Sequence, residues 1–521
     1  MSGKIELFDT TLRDGTQGEG VNLSVEDKIR IAQRMDDFGI AFIEGGWPGS
    51  NPKDIEFFNR AKEVTFKQTT ITAFGSTRHA KNTAENDPNL KAMLEAETKA
   101  VTIFGKTWDL HVLNALRVEL QDNLDMIEDS VRYLKDNGRH VIYDAEHFFD
   151  GYKNNNDYAL QTIKAASRAS ADVIVLCDTN GGCLPHEITE ITRIAKQKIN
   201  CKLGIHTHND SGCADANALA AVKEGATHVQ GTFNGYGERC GNSDLSIIVP
   251  NLMLKMGYDV VSKDQLHDLH SLSLYISELA NVPPKKNQPF VGLSAFAHKG
   301  GIHVSAVQRD ARTYEHINPE LVGNVQRVLV SELSGQSNIF HHLKGMGIEL
   351  DKNSTVARGI LEKIKNLENQ GYFFEAAEAS LEILIRKEMG QYTSFFDLVA
   401  YRVLVDQHKD SLRCESTVRV KVDDETYFMA GDGDGPVNAL DNALRKALEA
   451  KYPRLQEVHL NDFTVRIIDN GRGTAAMTRV LIESSDGNNE WITMGVSENI
   501  IEASWEALVD SIEYKLLLDE K

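Results

Sequence analysis

In the segment "HTHND", a single residue separates His206 from His208, and two histidines at this spacing could bind a metal ion. Because alternate residues of a strand point to the same side, both imidazoles would face the same space. Asp14 of "LFDTTLRDGTQ" could add a carboxylate if the two segments met. Two imidazoles with oxygen ligands suit Zn²⁺, Mn²⁺ or Co²⁺, and Mg²⁺ less obviously. A hydrogen-bonded histidine pair without a metal is the alternative interpretation.

These residues need a scaffold, and the first half of the chain alternates between β-rich segments and segments of helical periodicity. In the helical segment "SVEDKIRIAQRMDDFG", Ser24 is suited to cap the start and Gly39 to end the helix. Eight strand-like segments, each followed by a helix-like one, predict an α/β fold, the (β/α)₈ TIM barrel. An open, doubly wound sheet is the alternative, but it does not explain why all eight segments end in polar or glycine-rich residues. The strand-like segments are "KIELFDTT", "IAFIEGG", "QTTITAFGS", "AVTIFGK", "HVIYDAEHFF", "DVIVLCDTNGG", "CKLGIHTHND" and "THVQGTFNGYGER".

Polar side chains stand where these segments end. Active sites of TIM barrels lie at the C-terminal ends of the strands, so the polar ends predict one ring of functional groups. Its members are Arg13, Asp14, Glu44, Asp144, Glu146, Asp178, Thr179, His206, His208, Asp210, Glu238, Arg239 and Asn242.

The rest of the chain changes character twice. We assign residues 1–275 to the TIM barrel, 276–405 to a mostly helical linker region and 406–521 to a C-terminal α+β domain. In the last part, "STVRVKVDDETYFMAG" predicts two strands and "NALDNALRKALEAKY" a helix. The segments "DFTVRIID", "TRVLIESSD" and "EWITMGV" predict strands before a final helix, "ENIIEASWEALVDSIEY".

Composition limits the partners and the compartment. The net charge of −20 argues against nucleic acid or an anionic membrane, because both bind basic surfaces. The six cysteines include no CxxC pair, so we expect reduced thiols in a cytoplasmic protein. The N-terminus has no apolar signal segment, and no apolar run is long enough to span a bilayer.

Several common motifs lack support. The glycine-rich "NGYGERCGN" lacks the strand–GxGxxG–helix context of a dinucleotide site, and a metal-ligand loop suits it better. The segment "GDGDGPVNAL" lacks the terminal glutamate of a calcium loop and predicts a turn before a helix. Because no GxSxG, P-loop, zinc-ribbon or HExxH motif occurs, serine hydrolases, NTPases and zincins are not indicated.

Four motifs in order, "DTTLRDGTQ", "HTHND", "NGYGERCGN" and "HKGGIHVSAV", closely resemble those of the metal-dependent enzymes that carry out acyl-CoA Claisen condensations. These are the 2-isopropylmalate, homocitrate and citramalate synthases. The segments "GDGPVNALDNAL", "RGTAAMTRVLIE" and "GVSENIIEASWEAL" resemble the family's regulatory domain, so the resemblance covers essentially the whole chain. Within the family, "IEGGWPGSNPKD" and the chain length most resemble the citramalate synthase branch. That branch condenses acetyl-CoA with pyruvate and water in the first step of the pyruvate route to isoleucine.

The resemblance implies roles for individual residues. Arg13 is similar to the arginine that contacts the 2-oxo acid carbonyl, and Glu44 to the acidic residue that holds this arginine. Thr179 matches the threonine whose hydroxyl takes a substrate carboxylate oxygen, and we count Asp144 with these substrate-binding residues. The residues that match the family's metal ligands are Asp14, His206, His208 and Asn242.

The same resemblance implies the acid–base residues. Glu146 and His303 match the glutamate and histidine that share proton transfer, and Tyr314 matches a supporting tyrosine. In the family, His303 and Tyr314 reach the site from the linker, often that of the neighbouring subunit, which predicts a homodimer. Phe74 and Phe104 end strands three and four, where bulky apolar groups would suit a methyl group and exclude an isopropyl group. An ordinary core role is the alternative for these two.

The expected ligands are a divalent cation, pyruvate, acetyl-CoA as co-substrate, and isoleucine as a feedback effector of the C-terminal domain. A 2-isopropylmalate synthase, acting on 2-oxoisovalerate, is the main alternative. A retro-aldol lyase such as hydroxymethylglutaryl-CoA lyase is a second one. It is disfavoured because that family has a "GGCPYA"-like cysteine loop and no regulatory module, whereas this chain has "GERCGN" and the module.

Overall fold

The computed structural model describes residues 3–329, 355–408, 411–468 and 476–520. These residues divide into two compact units. The first unit comprises residues 3–296 and 316–326, and the second comprises 297–315 and the described residues from 327 onward.

Eight parallel strands of the first unit close into a barrel in chain order, and the first strand pairs with the eighth. The TIM barrel predicted from the sequence is therefore confirmed. Its strands are β1 (Glu6–Asp9), β2 (Phe42–Gly46), β3 (Thr70–Ser76), β4 (Ala100–Lys106), β5 (His140–Glu146), β6 (Val173–Asp178), β7 (Lys202–Thr207) and β8 (His228–Gly231).

Helices follow the strands and cover the barrel. Ser24 and Asp27 form a capping box at the start of the first helix, and Gly39 ends it with a φ of 103°, as the sequence predicts. The helices of this unit are α1 (Val25–Phe38), α2 (Pro52–Ala61), α3 (Pro88–Glu95), α4 (Asp109–His111), α5 (Leu120–Asp136), α6 (Phe148–Asn154), α7 (Asn156–Arg168), α8 (Pro185–Lys196), α9 (Ala214–Lys223), α10 (Leu245–Pro250), α11 (Lys263–His267) and α12 (Leu269–Leu279).

Apolar side chains of the barrel unit pack in two clusters, whereas polar groups stand at the C-terminal strand ends. Phe8, Ile142, Val173 and Val175 form a buried cluster from β1, β5 and β6, and a larger apolar cluster includes side chains of both the strands and the helices. Because these clusters anchor each strand, the side chains at its end are held on rigid elements.

The eighth strand is shorter than predicted. It ends at Gly231, so Glu238, Arg239 and Asn242 lie on the loop that follows and not at the strand end. The glycines of "NGYGERCGN" turn the chain here, with φ values of 66° at Gly235 and 148° at Gly237 that disfavour a strand of ordinary residues.

The second unit contains two antiparallel three-stranded sheets and several helices. The strands and helices predicted beyond residue 410 are present. They are joined by a further strand, β11 (Asp397–His408), in a segment predicted to be helical up to residue 405. Its apolar and β-branched residues pair with β12 (Ser411–Val422), and this pairing determines the strand conformation. The predicted boundary at 405/406 falls inside β11.

The elements of this unit begin with β9 (Ala297–His298), α13 (Gly301–Val307) and β10 (Arg327–Val328). Two helices, α14 (Thr355–Asn369) and α15 (Glu378–Glu388), precede the larger sheets. The first sheet is β11 (Asp397–His408), β12 (Ser411–Val422) and β13 (Glu425–Gly433), which α16 (Pro436–Leu448) follows. The second sheet is β14 (His459–Ile467), β15 (Thr478–Ser485) and β16 (Glu490–Ser497), which α17 (Ile500–Glu520) follows.

Two sequence-based expectations concern a segment that the structure describes only in part and the possibility of a membrane-spanning helix. The first four residues of "RGTAAMTRVLIE", 472–475, lie outside the described residues. In the part of the chain that the structure covers, no helix combines the length and the apolar character needed to cross a membrane.

Candidate active site and metal centre

The C-terminal ends of the barrel strands surround a cavity of about 240 Å³. Most of the side chains predicted for the site line it, and the predicted residues Glu44 and Asn242 are buried in contact with lining residues. The lining residues are Arg13, Asp14, Gln17, Trp47, Phe74, Phe104, Asp144, Glu146, Cys177, Thr179, His206, His208, Glu238 and Arg239.

Three of these residues form a cluster of candidate metal ligands. One ligand atom from each of Asp14, His206 and His208 lies within 4.8 Å of the other two, and all three residues are buried. The imidazoles face the same space, as their spacing predicts, with their Nε2 atoms 3.3 Å apart. His206 Nε2 also lies 3.4 Å from Asp14 Oδ2. Two imidazole nitrogens and a carboxylate that converge in this way suit a borderline divalent cation.

Neighbouring groups keep the cluster in a form that can bind a cation. Gln230 Oε1 lies 2.9 Å from His206 Nδ1, and a proton on Nδ1 that is donated to Gln230 leaves Nε2 with its lone pair toward the cluster. Burial and the nearby His206 lower the pKa of His208 to about 4, so this imidazole is neutral at pH 7. Burial raises the pKa of Asp14, but Arg13 and His206 outweigh it and hold that pKa well below its usual value.

Buried polar atoms of this cluster are unpaired within the described ranges. Asp14 Oδ1, His208 Nδ1 and Asn242 Oδ1 have no hydrogen-bond partner among those residues. A buried polar atom left unpaired costs stability, and a bound cation would offset that cost. Asn242 is bridged to His208 through the backbone, and its Nδ2 donates to the Tyr236 carbonyl at 3.1 Å, so its oxygen remains for a cation. The residues therefore fit a divalent metal.

Arg13 brings positive charge to the cavity beside Asp14. Its Nε donates to Glu44 Oε2 at 2.6 Å, and its Nη1 lies 3.6 Å from Asp14 Oδ2. Burial alone would lower the pKa of Arg13. The negative charges of Glu44 and Asp14 raise that pKa by more than burial lowers it, so the guanidinium is charged at neutral pH. Because Glu44 is fully buried, water screens this ion pair little, and the arginine is held in one position.

An aromatic wall, formed by Trp47, Phe74 and Phe104, is the apolar side of the cavity. Phe74 and Phe104 stack with their ring centroids 5.5 Å apart. Trp47, which follows β2, meets both rings edge-on at 5.7 Å. The Arg13 guanidinium carbon lies 3.8 Å from the centroid of Phe74, so charge and apolar surface adjoin here.

Two carboxylates of β5 also line the cavity. Asp144 accepts a hydrogen bond from Gln230 Nε2 at 3.0 Å, and burial together with the charge of Glu44 raises its pKa to about 7. Glu146 lies two residues further along the same side of the strand and forms an ion pair with Lys106 at the end of β4. The Glu146 side chain is 22% exposed, so it can meet a substrate in the cavity.

Loop contacts hold Thr179 at the cavity rim. Its hydroxyl oxygen accepts a hydrogen bond from the backbone N–H of His147 at 2.9 Å. His147 directly follows Glu146 and has a φ of 58°, in the left-handed region. The Thr179 carbonyl accepts from Arg239 Nη2 at 2.7 Å, and Arg239 Nε donates to Asp210 at 2.8 Å. These bonds join the loops that follow β5, β6, β7 and β8.

His303 and Tyr314 belong to the second unit. His303 lies in α13, and Tyr314 follows the helical turn Ala311–Thr313. Their rings stack with centroids 4.2 Å apart, and both side chains are exposed, Tyr314 at 47%. The structure brings these two residues together, and their role at the barrel cavity stays a prediction.

Comparison with known proteins adds an independent line of support. The HMGL-like family profile matches residues 4–276, the part of the chain that holds the barrel and its cavity. The chain belongs to the HMGL-like family. Two further profiles match the remainder of this HMGL-like chain: the homocitrate synthase post-HMGL domain-like profile over residues 290–372 and the LeuA allosteric (dimerisation) domain over 375–516.

Curated relatives within the HMGL-like family resemble the chain over nearly its whole length. The (R)-citramalate synthase of Geobacter sulfurreducens is 56% identical over 99% of this chain and 98% of the relative. That of Aquifex aeolicus is 55% identical over 100% of this chain and 99% of the relative. The 2-isopropylmalate synthase of Methanocaldococcus jannaschii is 32% identical over 99% and 96%, respectively. The family resemblance stated from the motifs is confirmed.

Trp47, Lys106 and Gln230 are among the residues of this HMGL-like site that were not predicted from the sequence. Trp47 and Lys106 follow or end barrel strands, in "IEGGWPGS" and "TIFGK", so the rule that selected the other strand-end residues could have found them. Gln230 lies inside β8, and the signal for it was a polar residue in a buried strand. Its partners, Asp144 and His206, are distant in sequence and are recognised only in the closed barrel.

Proposed function

We propose that the protein is a citramalate synthase, which condenses acetyl-CoA with pyruvate and water to form citramalate and CoA. The observation that carries the proposal is the barrel cavity of about 240 Å³, in which the candidate metal ligands, Arg13 and the aromatic wall meet. Curated (R)-citramalate synthases that are 47% to 56% identical over nearly the full chain support it.

Polar groups and an apolar wall bind different parts of pyruvate. A divalent cation bound by Asp14, His206, His208 and Asn242 would supply Lewis acidity to the oxygens of the 2-oxo acid. Arg13, fixed by Glu44, donates to the keto oxygen, where negative charge develops as the new bond forms. Because Thr179 Oγ1 accepts from the His147 N–H, its own hydrogen is available to a carboxylate oxygen of the substrate. The methyl group then faces the aromatic wall.

The condensation needs proton transfer at the acetyl group. Glu146 and His303 share this acid–base work, and Tyr314 supports the histidine on which it stacks. A proton leaves the acetyl methyl group of acetyl-CoA. The deprotonated carbon then attacks C2 of pyruvate, and the keto oxygen gains a proton. Water then cleaves the thioester C–S bond, and CoA leaves as a free thiol. Lys106 holds the Glu146 carboxylate in place for the first step.

Release of free thiol tests this function directly. CoA is titrated with a thiol reagent after incubation of the enzyme with acetyl-CoA and either pyruvate or 2-oxoisovalerate, in the presence of EDTA and after metal is added back. We expect turnover that requires metal and prefers pyruvate. If the metal-loaded enzyme releases no thiol with either acid, the proposal is wrong.

The main competing function is that of a 2-isopropylmalate synthase, because relatives of that name also match nearly the full chain. The two functions differ by the size of one alkyl group, and small size differences in an apolar pocket are worth only about 1–3 kcal/mol. A preference for 2-oxoisovalerate in the thiol assay would identify this alternative. A retro-aldol lyase would release no thiol, because the cleaved acyl group stays on CoA.

Two further parts of the proposal concern assembly and regulation. The LeuA allosteric (dimerisation) profile over residues 375–516 supports a homodimer with an effector site in the second unit. If citramalate is the product, isoleucine is the candidate effector as the end product of that route. Isoleucine added to the thiol assay should lower the rate, and other branched-chain amino acids are the controls.

A further inference from the structure

We propose that Trp47 sets the upper size of the alkyl group on the 2-oxo acid. The inference rests on the proposed function and deepens it, because it names the residue that separates pyruvate from its longer homologues. Trp47 lines the cavity together with Phe74 and Phe104, and no expectation based on sequence included it.

The position of the aromatic wall relative to Arg13 indicates which substrate group meets it. The keto carbon of pyruvate carries three substituents in one plane, and the keto oxygen and carboxylate are taken by Arg13 and the candidate cation site. The methyl group must point away from both. The Arg13 guanidinium carbon lies 3.8 Å from the centroid of the Phe74 ring, so the wall adjoins the place where Arg13 would bind the keto group, and we infer that the methyl group packs against it.

Within the wall, Trp47 contacts both of the other rings. Its indole meets Phe74 and Phe104 edge-on, each at 5.7 Å between centroids, while those two rings stack on each other. Removing either phenylalanine would leave the indole against the other one. Removing the indole opens space beside both rings at once, so Trp47 has the largest effect on the room for an added methyl or methylene group.

Hydrogen bonds hold both the indole and the backbone of Trp47, and they restrain the ring from moving aside for a larger substrate. Its Nε1 donates to Asn89 Oδ1 at 2.7 Å, and Asn89 Nδ2 donates to the Ser76 carbonyl at 2.7 Å. The backbone N–H of Trp47 donates to Asp54 Oδ2 at 2.9 Å. Asp54 Oδ1 in turn pairs with the buried ammonium of Lys28 at 2.7 Å. A buried, paired anchor of this kind makes the wall rigid.

The two glycines before Trp47 are needed for this arrangement. A Cβ atom at Gly45 would lie 2.1 Å from the Phe57 ring, and one at Gly46 would lie 2.4 Å from the Asp54 carboxyl group. Gly46 also has a φ of 151°, which L residues with side chains rarely adopt. The segment "EGGW" therefore brings the backbone close enough to α2 for the indole to reach the cavity.

The test compares the catalytic efficiency of each variant with two substrates that differ by one methylene group. The ratio of kcat/KM for 2-oxobutyrate to that for pyruvate is measured for the wild type and for Trp47→Leu, and the products are identified by mass spectrometry. We expect the ratio to rise about 10- to 200-fold, the range that one methylene group spans in an apolar pocket. Asn89→Leu, which removes the acceptor of the indole N–H, should raise the ratio by a smaller factor.

Trp108→Leu is the matched control. Trp108 stacks on His111 and does not line the cavity, so its substitution should leave the substrate ratio unchanged. Circular dichroism and metal affinity verify that each variant is folded. If Trp47→Leu does not fold, Trp47→Phe, which keeps a smaller ring at this place, should give an intermediate ratio.

The outcomes separate the inference from the proposed function. If the wild type does not condense acetyl-CoA with pyruvate, the proposed function fails. If the wild type prefers pyruvate and the folded Trp47 variant loses activity equally with both acids, only the inference about Trp47 is overturned. A raised ratio in both the Trp47 and Trp108 variants also overturns it, because the effect would then not be specific to the wall.

Discussion

At the scale of single residues, the candidate metal cluster depends on a side chain outside it. Gln230 accepts from His206 Nδ1 at 2.9 Å and donates to Asp144 at 3.0 Å, so one amide orients an imidazole ligand and a cavity carboxyl group. Residues that orient metal ligands commonly contribute to cation affinity, although they do not touch the cation.

We therefore expect Gln230→Leu to weaken cation binding about 10- to 100-fold, because His206 loses the partner that fixes its ring and tautomer. Isothermal titration of the metal-stripped chain with Mn²⁺ or Zn²⁺ measures the affinity. The control is Gln197→Leu, at an exposed position after α8. Equal affinities of the Gln230 variant and the wild type would show that Gln230 does not position the ligand.

Glu146, one of the two proposed acid–base residues, gives a second prediction at this scale. Glu146→Gln should lower kcat about 10²- to 10⁴-fold, the usual contribution of a positioned acid or base, while the KM for pyruvate changes little. Exchange of the acetyl-CoA methyl protons in D₂O should slow by a similar factor, because the amide cannot accept the proton. Glu95→Gln, at the exposed end of α3, is the control. A kcat close to that of the wild type would exclude Glu146 as the base.

Much of the site could be predicted at the residue scale because its groups end barrel strands. Asp14, His206 and His208 were placed together from strand-end position alone, and they do converge. The contact between Arg13 and Glu44 was implied by family resemblance, and it is present. Gln230 could not be found in this way, since a glutamine within a strand shows its role only when its partners are in place.

At the scale of elements, α17 carries buried carboxyl groups against α15. Asp510 of α17 accepts a hydrogen bond from Ser380 Oγ at 2.7 Å. Burial raises the pKa of Asp510 to about 6, although the Ser380 bond and the ammonium of Lys387 lower it. The negative charges of Glu506 and Glu513, on the same helix, also raise the pKa of Asp510. This helix pair therefore has a pH-dependent stability.

The sign of that dependence follows from the direction of the shift. A carboxyl group with a higher pKa in the folded state binds its proton more tightly there, so stability is lost as the pH rises from about 4 to about 6. Asp510→Asn keeps an acceptor for Ser380 but carries no charge. The free energy of unfolding of this variant, relative to that of the wild type, should increase as the pH rises across this interval and then stay constant. The upper bound on this increase is roughly 3 kcal/mol.

Thermal unfolding of the full chain between pH 4 and pH 8 measures this difference. Asp424→Asn, at a fully exposed turn position between β12 and β13, should show no such trend. A parallel pH profile for the wild type and Asp510→Asn would contradict the assignment of this titration to α17.

The elements could be predicted where local pattern and tertiary contacts agree. The helix α1 has its own cap at Ser24 and its own stop at Gly39, so its bounds follow from nearby residues. Strand β11 could not be recognised, because its strand conformation depends on pairing with β12. The early end of β8 depends on glycines whose positive φ values are not visible in the letters alone.

At the scale of the whole molecule, the proposed reaction uses residues of both units. Asp14 belongs to the barrel, whereas His303 and Tyr314 belong to the second unit. The dimerisation profile over residues 375–516 supports a homodimer. In the family the matching histidine often acts at the site of the neighbouring subunit, and for His303 this stays a prediction.

Mixing two inactive variants tests this arrangement. Asp14→Asn and His303→Ala dimers, each inactive alone, are unfolded together, refolded and assayed. If His303 acts in the neighbouring subunit, one site of each mixed dimer is intact and about a quarter of the wild-type activity returns, since half of the dimers are mixed. Light scattering verifies that the mixture is dimeric. Activity that stays at the level of the parent variants would place His303 at the site of its own subunit.

The position of Trp47 has a consequence for how such enzymes diversify. Trp47, the member of the wall that limits the substrate, lies on the loop between β2 and α2, whereas the candidate metal ligands come from the end of β7 and from the loops that follow β1 and β8. Substitutions in the one place leave the other untouched. A duplicated gene can therefore acquire a new range of oxo acids through changes in one short loop, while it inherits the reaction chemistry unchanged.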